Sequence, residues 1–274
     1  MNLFGKKLKP SFNAYAVVTG AGSGIGRSFA LELAKRGGTV ICADLNLTAA
    51  EETVKMLQAL GAKGFTVQCN VGDQEQVAAL AEQAEQLMGH APTLVINNAG
   101  IGIGGKFDEM SLEDWQNCMD VNLWGVVHGC HYFVPKFKQQ GHGAIINVAS
   151  AASFTAAPEM SIYNVSKAGV RALSETLSAE LKKFNIKVNV LCPTLVPTNI
   201  IKNGKVPHKG VLDYMLTHLS FTTPDAVAKL TLNRLDQGEL YTIPQVDAKL
   251  FWAMKRFTPN LYSGLLGFGY RFMK

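Results

Sequence analysis

The chain alternates short apolar runs with longer segments of helical periodicity, and this alternation limits its fold more than any other feature. The short runs are rich in Val, Ile and Thr, and several are apolar on both faces, which is typical of a parallel sheet covered by helices on both sides. The predicted strands span 15–19, 39–43, 64–69, 93–97, 144–149, 187–191 and 239–243. The predicted helices span 25–36, 48–60, 74–88, 112–138, 161–183 and 224–236. We therefore expect a doubly wound α/β sheet.

Length and composition favour one globular domain. The 274 residues contain no internal repeat and no linker rich in Pro, Gly or Ser, so we treat 1–274 as a single domain. The net charge of +5 is mild and forms no compact basic stripe, which argues against nucleic acid as a partner. No apolar run reaches the length of a membrane span.

The cysteines and the first residues bear on the compartment. Five cysteines lie mostly inside apolar runs and form no CxxC pair, so we expect buried thiols in a reducing, cytoplasmic setting. The lysine-rich start has some likeness to a signal peptide. Its apolar stretch after Asn13 is short, however, and it runs into a glycine motif that cleavage would remove, so we reject that interpretation.

A glycine-rich loop, "TGAGSGIGR", joins the first predicted strand to the first helix. Gly20, Gly24 and Gly26 would allow a tight turn, close approach to a phosphate, and packing of helix on strand, with the helix N-terminus directed at a pyrophosphate. Asp44 ends the second strand, where a carboxylate accepts hydrogen bonds from ribose hydroxyls and repels a 2′-phosphate. No arginine follows it, and the loop carries Ser23 instead of a basic residue, so we expect NAD rather than NADP. The alternative is a glycine turn without a ligand.

A tyrosine precedes a lysine by four residues at three places, 132–136, 163–167 and 270–274. On a helix this spacing brings the phenol and the ammonium to one face. A chance match of this kind is unsurprising, so position has to decide among them. Ligands of a doubly wound sheet bind outside the carboxyl ends of its strands, and each following helix begins at that edge.

Only the pair Tyr163 and Lys167 begins a helix at the ligand-binding edge, shortly after Ser150. The pair at 132–136 lies in the last turns of a helix, at the far edge, with Pro135 disturbing the helix between them. The pair at 270–274 lies beyond the last strand, at a free terminus. We expect these two other pairs to bury the ring and leave the lysine in solvent.

Further motifs accompany the glycine loop in a fixed order. They are "NNAG" at 97–100, "VNLWG" around Asn122, "NVAS" ending in Ser150, and "YNVSK" at 163–167. With the loop spacing Gly-x3-Gly-x-Gly, the chain resembles the short-chain dehydrogenase/reductase family over about 14–243. The resemblance implies a Rossmann-type sheet of seven strands, a nicotinamide cofactor and no metal. It also implies a catalytic set formed by Asn122, Ser150, Tyr163 and Lys167.

The resemblance also implies a set of cofactor contacts: Gly20, Ser23, Gly24, Ile25, Gly26, Asp44, Asn70, Val71, Asn98, Ala99, Gly100, Tyr163, Lys167, Pro193, Val196 and Thr198. Two positions depart from the usual pattern of the family. Asn70 stands where many members have Asp, and its amide oxygen could still accept from an adenine amino group. In "CPTLVPT", Thr194 stands where many members have Gly, while Pro193 and Thr198 match.

The family's chemistry gives each residue of the set an expected role. Reduction of a carbonyl needs a hydride and a proton, and a free tyrosine has a pKa of about 10, too high for a good base near neutrality. We expect Lys167 and the positive nicotinamide to lower the pKa of Tyr163. We expect Ser150 to hold the substrate oxygen, Lys167 to bind the ribose as well, and Asn122 to anchor a water that relays protons. The alternative is a nucleotide-binding regulator without catalysis.

Two later segments bear on the substrate and on partners. The stretch 194–222 is rich in Leu, Val, Ile and Met, which predicts an apolar lid over a lipophilic substrate resembling a lipid, steroid, retinoid or aromatic alcohol. The alternative is that these residues pack on the domain. The stretch 244–274 is aromatic and basic, without a regular strand signal. It could cover the pocket, form the interface of a homodimer or homotetramer or, as the third choice, lie peripherally on a membrane.

Overall fold

A computed structural model describes residues 9–198, 200, 204–205 and 222–272, and its centre is a parallel sheet of seven strands. The strand order is β3-β2-β1-β4-β5-β6-β7. The strands are β1 Tyr15–Thr19, β2 Thr39–Asp44, β3 Gly64–Gln68, β4 Leu94–Asn97, β5 Gly143–Val148, β6 Ile186–Leu191 and β7 Tyr241–Thr242. The order reverses direction between β1 and β4, where a doubly wound sheet opens a crevice for ligands. The predicted fold is confirmed.

Helices cover both faces of the sheet. They are α1 Gly24–Lys35, α2 Leu47–Ala59, α3 Gln74–Met88, α4 Leu112–Met119, α5 Gly125–Gln140, α6 Ala152–Thr155, α7 Ser161–Glu180, α8 Pro224–Gln237, α9 Val246–Phe257 and α10 Pro259–Tyr270. Several begin at a side chain that accepts from the first turn, as Asn46 does for α2, Asp73 for α3 and Thr223 for α8.

The core consists of two layers that share the sheet. Along β1, Val17 belongs to the layer under α3, α5 and α7, whereas Ala16 and Val18 belong to the layer under α1, α2 and α8. All three side chains are fully buried. This alternation of faces explains why the strand is apolar at each position from 16 to 18, since neither face of a doubly covered sheet meets water.

The segment 112–138 is an interrupted helix, so the prediction of one continuous helix was wrong. α4 passes into a π-helical segment, Asp120–Trp124, and only then into α5. Pro135 does not end α5, which continues to Gln140. The wide turn at 120–124 inserts one extra residue per turn, and helices use such bulges where a side chain has a specific task. The predicted helix 161–183 also ends earlier, at Glu180, and Lys182–Phe184 forms a separate 3-10 turn.

The last segment is helical, which the sequence analysis did not predict. α9 and α10 follow the last strand, and their outward sides carry large apolar residues. In the part of the chain that the structure describes, no helix combines the length and the hydrophobicity needed to span a bilayer.

Candidate active site

The glycine loop turns sharply at the carboxyl end of β1. Gly20 has a φ of +63° and Gly24 a φ of +54°, which side chains with a Cβ rarely adopt. A Cβ on Gly26 would lie 2.1 Å from the carbonyl oxygen of Gly20, so only glycine allows this contact of helix and turn. The loop therefore exposes backbone N–H groups at the N-terminus of α1, an arrangement that suits a phosphate.

Asp44 lies against the glycine loop at the end of β2. Its Oδ2 accepts from the backbone N–H of Gly22 at 2.8 Å, and its Oδ1 accepts from that of Asn46 at 2.9 Å. These two bonds fix the carboxylate beside the loop, in the position from which it can meet a ribose held there.

Thr19, which the sequence analysis overlooked, joins the ends of β1 and β4. Its Oγ1 accepts from the backbone N–H of Asn98 at 3.0 Å and of Ala99 at 3.1 Å. The side-chain Nδ2 of Asn98 donates to the carbonyl oxygens of Thr19 at 2.9 Å and Gly20 at 3.2 Å. The "NNAG" segment thus holds the glycine loop in place. The only sequence signal for Thr19 was its place directly before the first glycine.

Asn122 is fully buried inside the π-helical segment. Its Oδ1 accepts from the backbone N–H of Ile101 at 2.8 Å, and its Nδ2 donates to the carbonyl oxygen of the same residue at 2.9 Å. Nδ2 also lies 3.2 Å from Cys118 Sγ and 3.4 Å from Ser166 Oγ. The amide therefore fastens the chain after β4 to α4 and α7, which a regular helix would not position in the same way.

Ser150, Tyr163 and Lys167 meet at the carboxyl end of β5. Lys167 is 2% exposed, its Nζ donates to the carbonyl oxygen of Val148 at 2.9 Å, and the same Nζ lies 5.8 Å from the ring centroid of Tyr163. Ser150 Oγ donates to the carbonyl oxygen of Pro193 at 3.3 Å. Tyr163 is half-buried.

Gly100 connects this group to Asn122. A Cβ at Gly100 would lie 3.1 Å from Asn122 Oδ1 and 3.4 Å from Lys167 Nζ. The four predicted catalytic residues, Asn122, Ser150, Tyr163 and Lys167, therefore cluster at one edge of the sheet, beside the glycine loop.

The other two tyrosine–lysine pairs lie elsewhere. Lys136 forms an ion pair with Glu85 near the C-terminal end of α3, its Nζ 3.4 Å from Oε2, and Tyr132 packs partly against the core. Tyr270 donates its hydroxyl to Glu159 Oε1 at 2.9 Å, so it is bound to the loop before α7. The expectation that it lies at a free terminus was wrong. Its partner in the motif, at 274, lies outside the described residues.

The sequence pattern of the short chain dehydrogenase family matches residues 14–206. The chain belongs to the short-chain dehydrogenase/reductase family. A cyclohexanol dehydrogenase from Acinetobacter sp. strain SE19 is 39% identical over 190 residues, which cover 69% of this chain and 75% of that protein. As a member of the family, the protein is an NAD(P)-dependent oxidoreductase, and its general chemistry is the interconversion of alcohols and carbonyl compounds.

Solved structures of the family share the fold. A short-chain dehydrogenase/reductase from Burkholderia phymatum, in complex with NAD, superposes with a TM-score of 0.87 at 31% identity, covering 93% of this chain and 96% of that one. A short-chain dehydrogenase from Sphingobium yanoikuyae, in complex with NADPH, superposes with a TM-score of 0.77 at 26% identity, covering 90% and 94%. Members of the family thus use either nicotinamide cofactor.

The residues present fit a dinucleotide. The bare backbone of the glycine loop, the N-terminus of α1 and the carboxylate of Asp44 line one side of the crevice. On the other side, the segment after β6 approaches the loop, because a Cβ on Gly24 would lie 3.0 Å from Thr198 Cγ2. Pro193 and Val196 anchor that segment in the interior.

The remaining predicted contacts surround the same crevice. Asn70 Oδ1 accepts from the backbone N–H of Gly72 at 3.1 Å, so the amide shapes the turn after β3, and its contact with adenine stays a prediction. Val71 is 5% exposed. Ser23 precedes α1 without a side-chain capping bond, and Ile25 packs partly on the core layer under α1.

Burial acts on both titratable groups of the site. Desolvation raises the pKa of Tyr163 to about 12, against which a hydrogen bond with Ser150 works. Desolvation also lowers the pKa of Lys167 to about 8. The protein alone therefore raises the pKa of Tyr163, whereas the sequence analysis expected it to be lowered. The reason is that burial disfavours the phenolate more than neighbouring groups favour it.

Most of the predicted lid 194–222 lies outside the described residues. Within the described part, the chain at 204–205 runs beside 102–104. Lys205 donates its backbone N–H to the carbonyl oxygen of Gly102 at 3.0 Å. Its own carbonyl oxygen accepts from the backbone N–H of Gly104 at 2.7 Å. Its Nζ binds Asp114 Oδ2 at 2.8 Å. No group of three His, Cys, Asp or Glu side chains among the described residues is arranged to hold a metal ion.

Proposed function

We propose that Tyr163 is the general acid/base of this oxidoreductase, that NAD(H) is its preferred cofactor and that its substrate is a lipophilic alcohol or ketone. The observation that carries the proposal is the convergence of Ser150, Tyr163, Lys167 and Asn122 beside the glycine loop. A bound nicotinamide supplies the hydride chemistry.

The side chains of the protein handle the oxygen of the substrate. In reduction, Tyr163 donates its phenolic proton to the developing alkoxide, and in oxidation its phenolate accepts the proton of the alcohol. Ser150 donates a hydrogen bond to the same oxygen and so fixes the distance to the phenol. Lys167, a buried cation within 6 Å of the ring, stabilises the phenolate electrostatically, and Asn122 keeps the neighbouring backbone at 100–101 in place for a proton path to solvent.

Replacement of Tyr163 tests the assignment. Tyr163→Phe removes the proton donor and keeps the ring, so we expect kcat to fall at least about 100-fold while NADH binding, followed by fluorescence, is unchanged. The matched control is Tyr132→Phe, since Tyr132 also precedes a lysine by four residues but lies at the opposite edge. Turnover of the Tyr163 variant at the rate of the unchanged protein would contradict the proposal.

Asp44 supports the preference for NAD(H). Its carboxylate is fixed beside the glycine loop, and a negative charge there repels a 2′-phosphate. Arg27 is already bound to Glu52 and Thr53, which leaves its guanidinium engaged on α2 rather than available for a phosphate.

A small apolar cluster beside the site supports a lipophilic substrate. Ile103, Cys118 and Ile162 are buried together, with Met110 and Trp115 packed against them. Ile162 directly precedes Tyr163, so the cluster adjoins the proton donor. The relative from Acinetobacter is named for a cyclic alcohol, which agrees with apolar surroundings for the substrate. We further propose a cytoplasmic homodimer or homotetramer.

A turnover screen addresses cofactor and substrate together. With NAD and NADP each tested against short water-soluble and larger apolar alcohols, we expect at least a tenfold higher kcat/KM for NAD and for the apolar alcohols. Asp44→Ala should reduce the ratio of kcat/KM with NAD to kcat/KM with NADP by about tenfold or more, because it removes the repulsion of the 2′-phosphate. Equal kcat/KM for both cofactors in the unchanged protein would contradict the assigned role of Asp44.

A further inference from the structure

The two C-terminal helices each carry an exposed apolar stripe at helical spacing. The residues recur at intervals of four, three and four positions, which places them on one side of a helix. Their large members are 51–79% exposed. The stripe of α9 is Val246, Leu250, Ala253 and Phe257, and that of α10 is Leu261, Leu265 and Phe268, continued by Phe272 just past its end.

The opposite sides of both helices are firmly attached to the protein. Ala248 of α9 is fully buried, and the Trp252 ring lies 6.4 Å from that of Phe154, centroid to centroid. Tyr262 of α10 is 5% exposed and donates its hydroxyl to the carbonyl oxygen of Thr155 at 2.9 Å. The stripes are therefore the outer sides of docked helices. Seven large apolar side chains recur there at helical spacing, whereas the exposed apolar residues of an ordinary surface are scattered singly.

Positive charge accompanies the stripes. Between 246 and 272 the cations are Lys249, Lys255, Arg256 and Arg271, against Asp247 as the carboxylate. Lys249 and Arg256 are exposed and lie two turns apart on one flank of the α9 stripe. This pairing of an apolar stripe with flanking cations is the pattern of helices that lie at a lipid interface.

A cavity at the base of α9 adds to this charge. It measures about 420 Å³ and lies between α7, β7 and α9. Arg171, Lys255 and Arg256 line it together with Glu175, which is bound to Arg171 at 2.8 Å from Oε1 to Nη1. Its walls thus carry more positive than negative charge, on the side of α9 that faces the protein.

We propose that α9 and α10 dock this protein on an anionic lipid bilayer, with the apolar stripes at the acyl boundary and the cations at the phosphates. Each helix has 12 residues, or about 18 Å, which is too short to cross a hydrocarbon core of about 30 Å, so both lie in the plane of the interface. A second copy of the chain fits less well, because the same face would set Lys249 and Arg256 against the same two cations of the other copy.

Docking has a consequence for the site, and this consequence rests on the proposed function. α10 holds Thr155 through Tyr262 and Glu159 through Tyr270, and both held residues lie between Ser150 and Tyr163. A bilayer that holds α10 therefore lies next to the segment that forms the catalytic edge. A lipophilic alcohol dissolved in the bilayer would reach the site without crossing bulk water.

Vesicle flotation of the full chain tests the docking. We expect it to float with phosphatidylcholine vesicles that contain phosphatidylglycerol, and less with pure phosphatidylcholine or at high salt. The combined change Leu261→Ser, Leu265→Ser and Phe268→Ser should lower the partition coefficient at least tenfold. Lys249→Gln with Arg256→Gln should lower it about tenfold. Leu60→Ser, at an exposed leucine (50%) after α2, is the matched control and should leave it unchanged.

Two outcomes would overturn the docking. The first is an absence of flotation on anionic vesicles. The second is a dimer in sedimentation velocity that the serine substitutions dissociate and that does not float, which assigns the stripes to a second copy. Neither measurement needs catalysis, so Tyr163→Phe should float like the unchanged protein even if its chemical role is different.

A rate measurement tests whether the bilayer delivers the alcohol to the site. The variant with the three serine substitutions should oxidise a long-chain alcohol in vesicles several-fold more slowly and a water-soluble alcohol at an unchanged rate. Equal slowing of both oxidations would contradict delivery of the alcohol from the bilayer.

Discussion

Burial has opposite consequences for the two titratable residues of the site. It raises the pKa of Tyr163 to about 12 and lowers that of Lys167 to about 8, because burial disfavours the charged form of each group. The phenol is thus a stable proton donor near neutral pH. For the reverse reaction it needs an added positive charge nearby, and we expect an oxidised nicotinamide to contribute it.

The shifted lysine predicts a pH-dependent stability. Its folded-state pKa of about 8 lies below the ordinary 10.5, so between these values the unfolded chain binds more protons and Lys167 makes the free energy of unfolding rise with pH. Lys167→Met should reduce that slope by up to about 1.4 kcal/mol per pH unit. Urea denaturation of the cofactor-free protein between pH 7 and about 10 measures it, and the difference between proteins isolates the lysine. An unchanged slope in the Lys167 variant would contradict the shift.

Among the elements, the interrupted helix after β4 shows how packing shapes the site. The π-helical segment places Asn122 where its amide binds Ile101 through both ends. About two turns after Asn122, Gly129 brings α5 against β4, since a Cβ there would lie 2.0 Å from Asn97 Oδ1. Asn97 is 2% exposed and donates to Asn147 Oδ1 at 2.9 Å, so it has little room to move.

Substitution of helical glycines tests this contact. Gly129→Ala should lower the free energy of unfolding by about 1–3 kcal/mol, because helix and strand must separate. Gly264→Ala is the matched control in α10, where an added Cβ meets nothing within 4 Å, and it should raise stability by up to about 1 kcal/mol. Urea denaturation measures both, and a neutral Gly129 variant would show that the contact can relax.

At the scale of the whole molecule, Arg36 joins parts of the chain that are far apart in sequence. Its Nη1 donates to Ser11 Oγ at 2.7 Å and lies 3.4 Å from Asp236 Oδ2, while Nε donates to Glu32 Oε1 at 3.0 Å and Nη2 to Asn233 Oδ1 at 2.8 Å. Arg36 is 8% exposed. This network holds the start of the described chain to α1 and α8, outside the catalytic edge.

Loss of the buried cation should be costly. Arg36→Met leaves two carboxylates short of their partner, and we expect a loss of about 3–5 kcal/mol. Adding Asp236→Asn should restore part of it, because one uncompensated charge is then removed. Lys106→Met, which removes an exposed ion pair with Glu109, should leave stability nearly unchanged. An Arg36 variant as mild as this control would contradict the role of the network.

The sequence alone determined the strands, most helices, the glycine loop and the position of the tyrosine–lysine pair at the binding edge. These features follow from local periodicity and from the rule that parallel strands end at one edge, so neighbours in sequence suffice to predict them. The interrupted helix at Asn122 and the helical tail escaped prediction, since one π-helical turn is too short to change the apolar pattern of its flanks and the tail is apolar on two sides.

Only the tertiary structure decided which groups are buried together. Thr19 was revealed as the link between β1 and β4 by its bonds to Asn98 and Ala99, which lie about 80 residues away. The direction of the pKa shift at Tyr163 was likewise invisible, because desolvation depends on atoms from every part of the chain that surrounds the phenol. Sequence specifies which side chains can carry the chemistry, whereas packing sets the charge state in which they carry it.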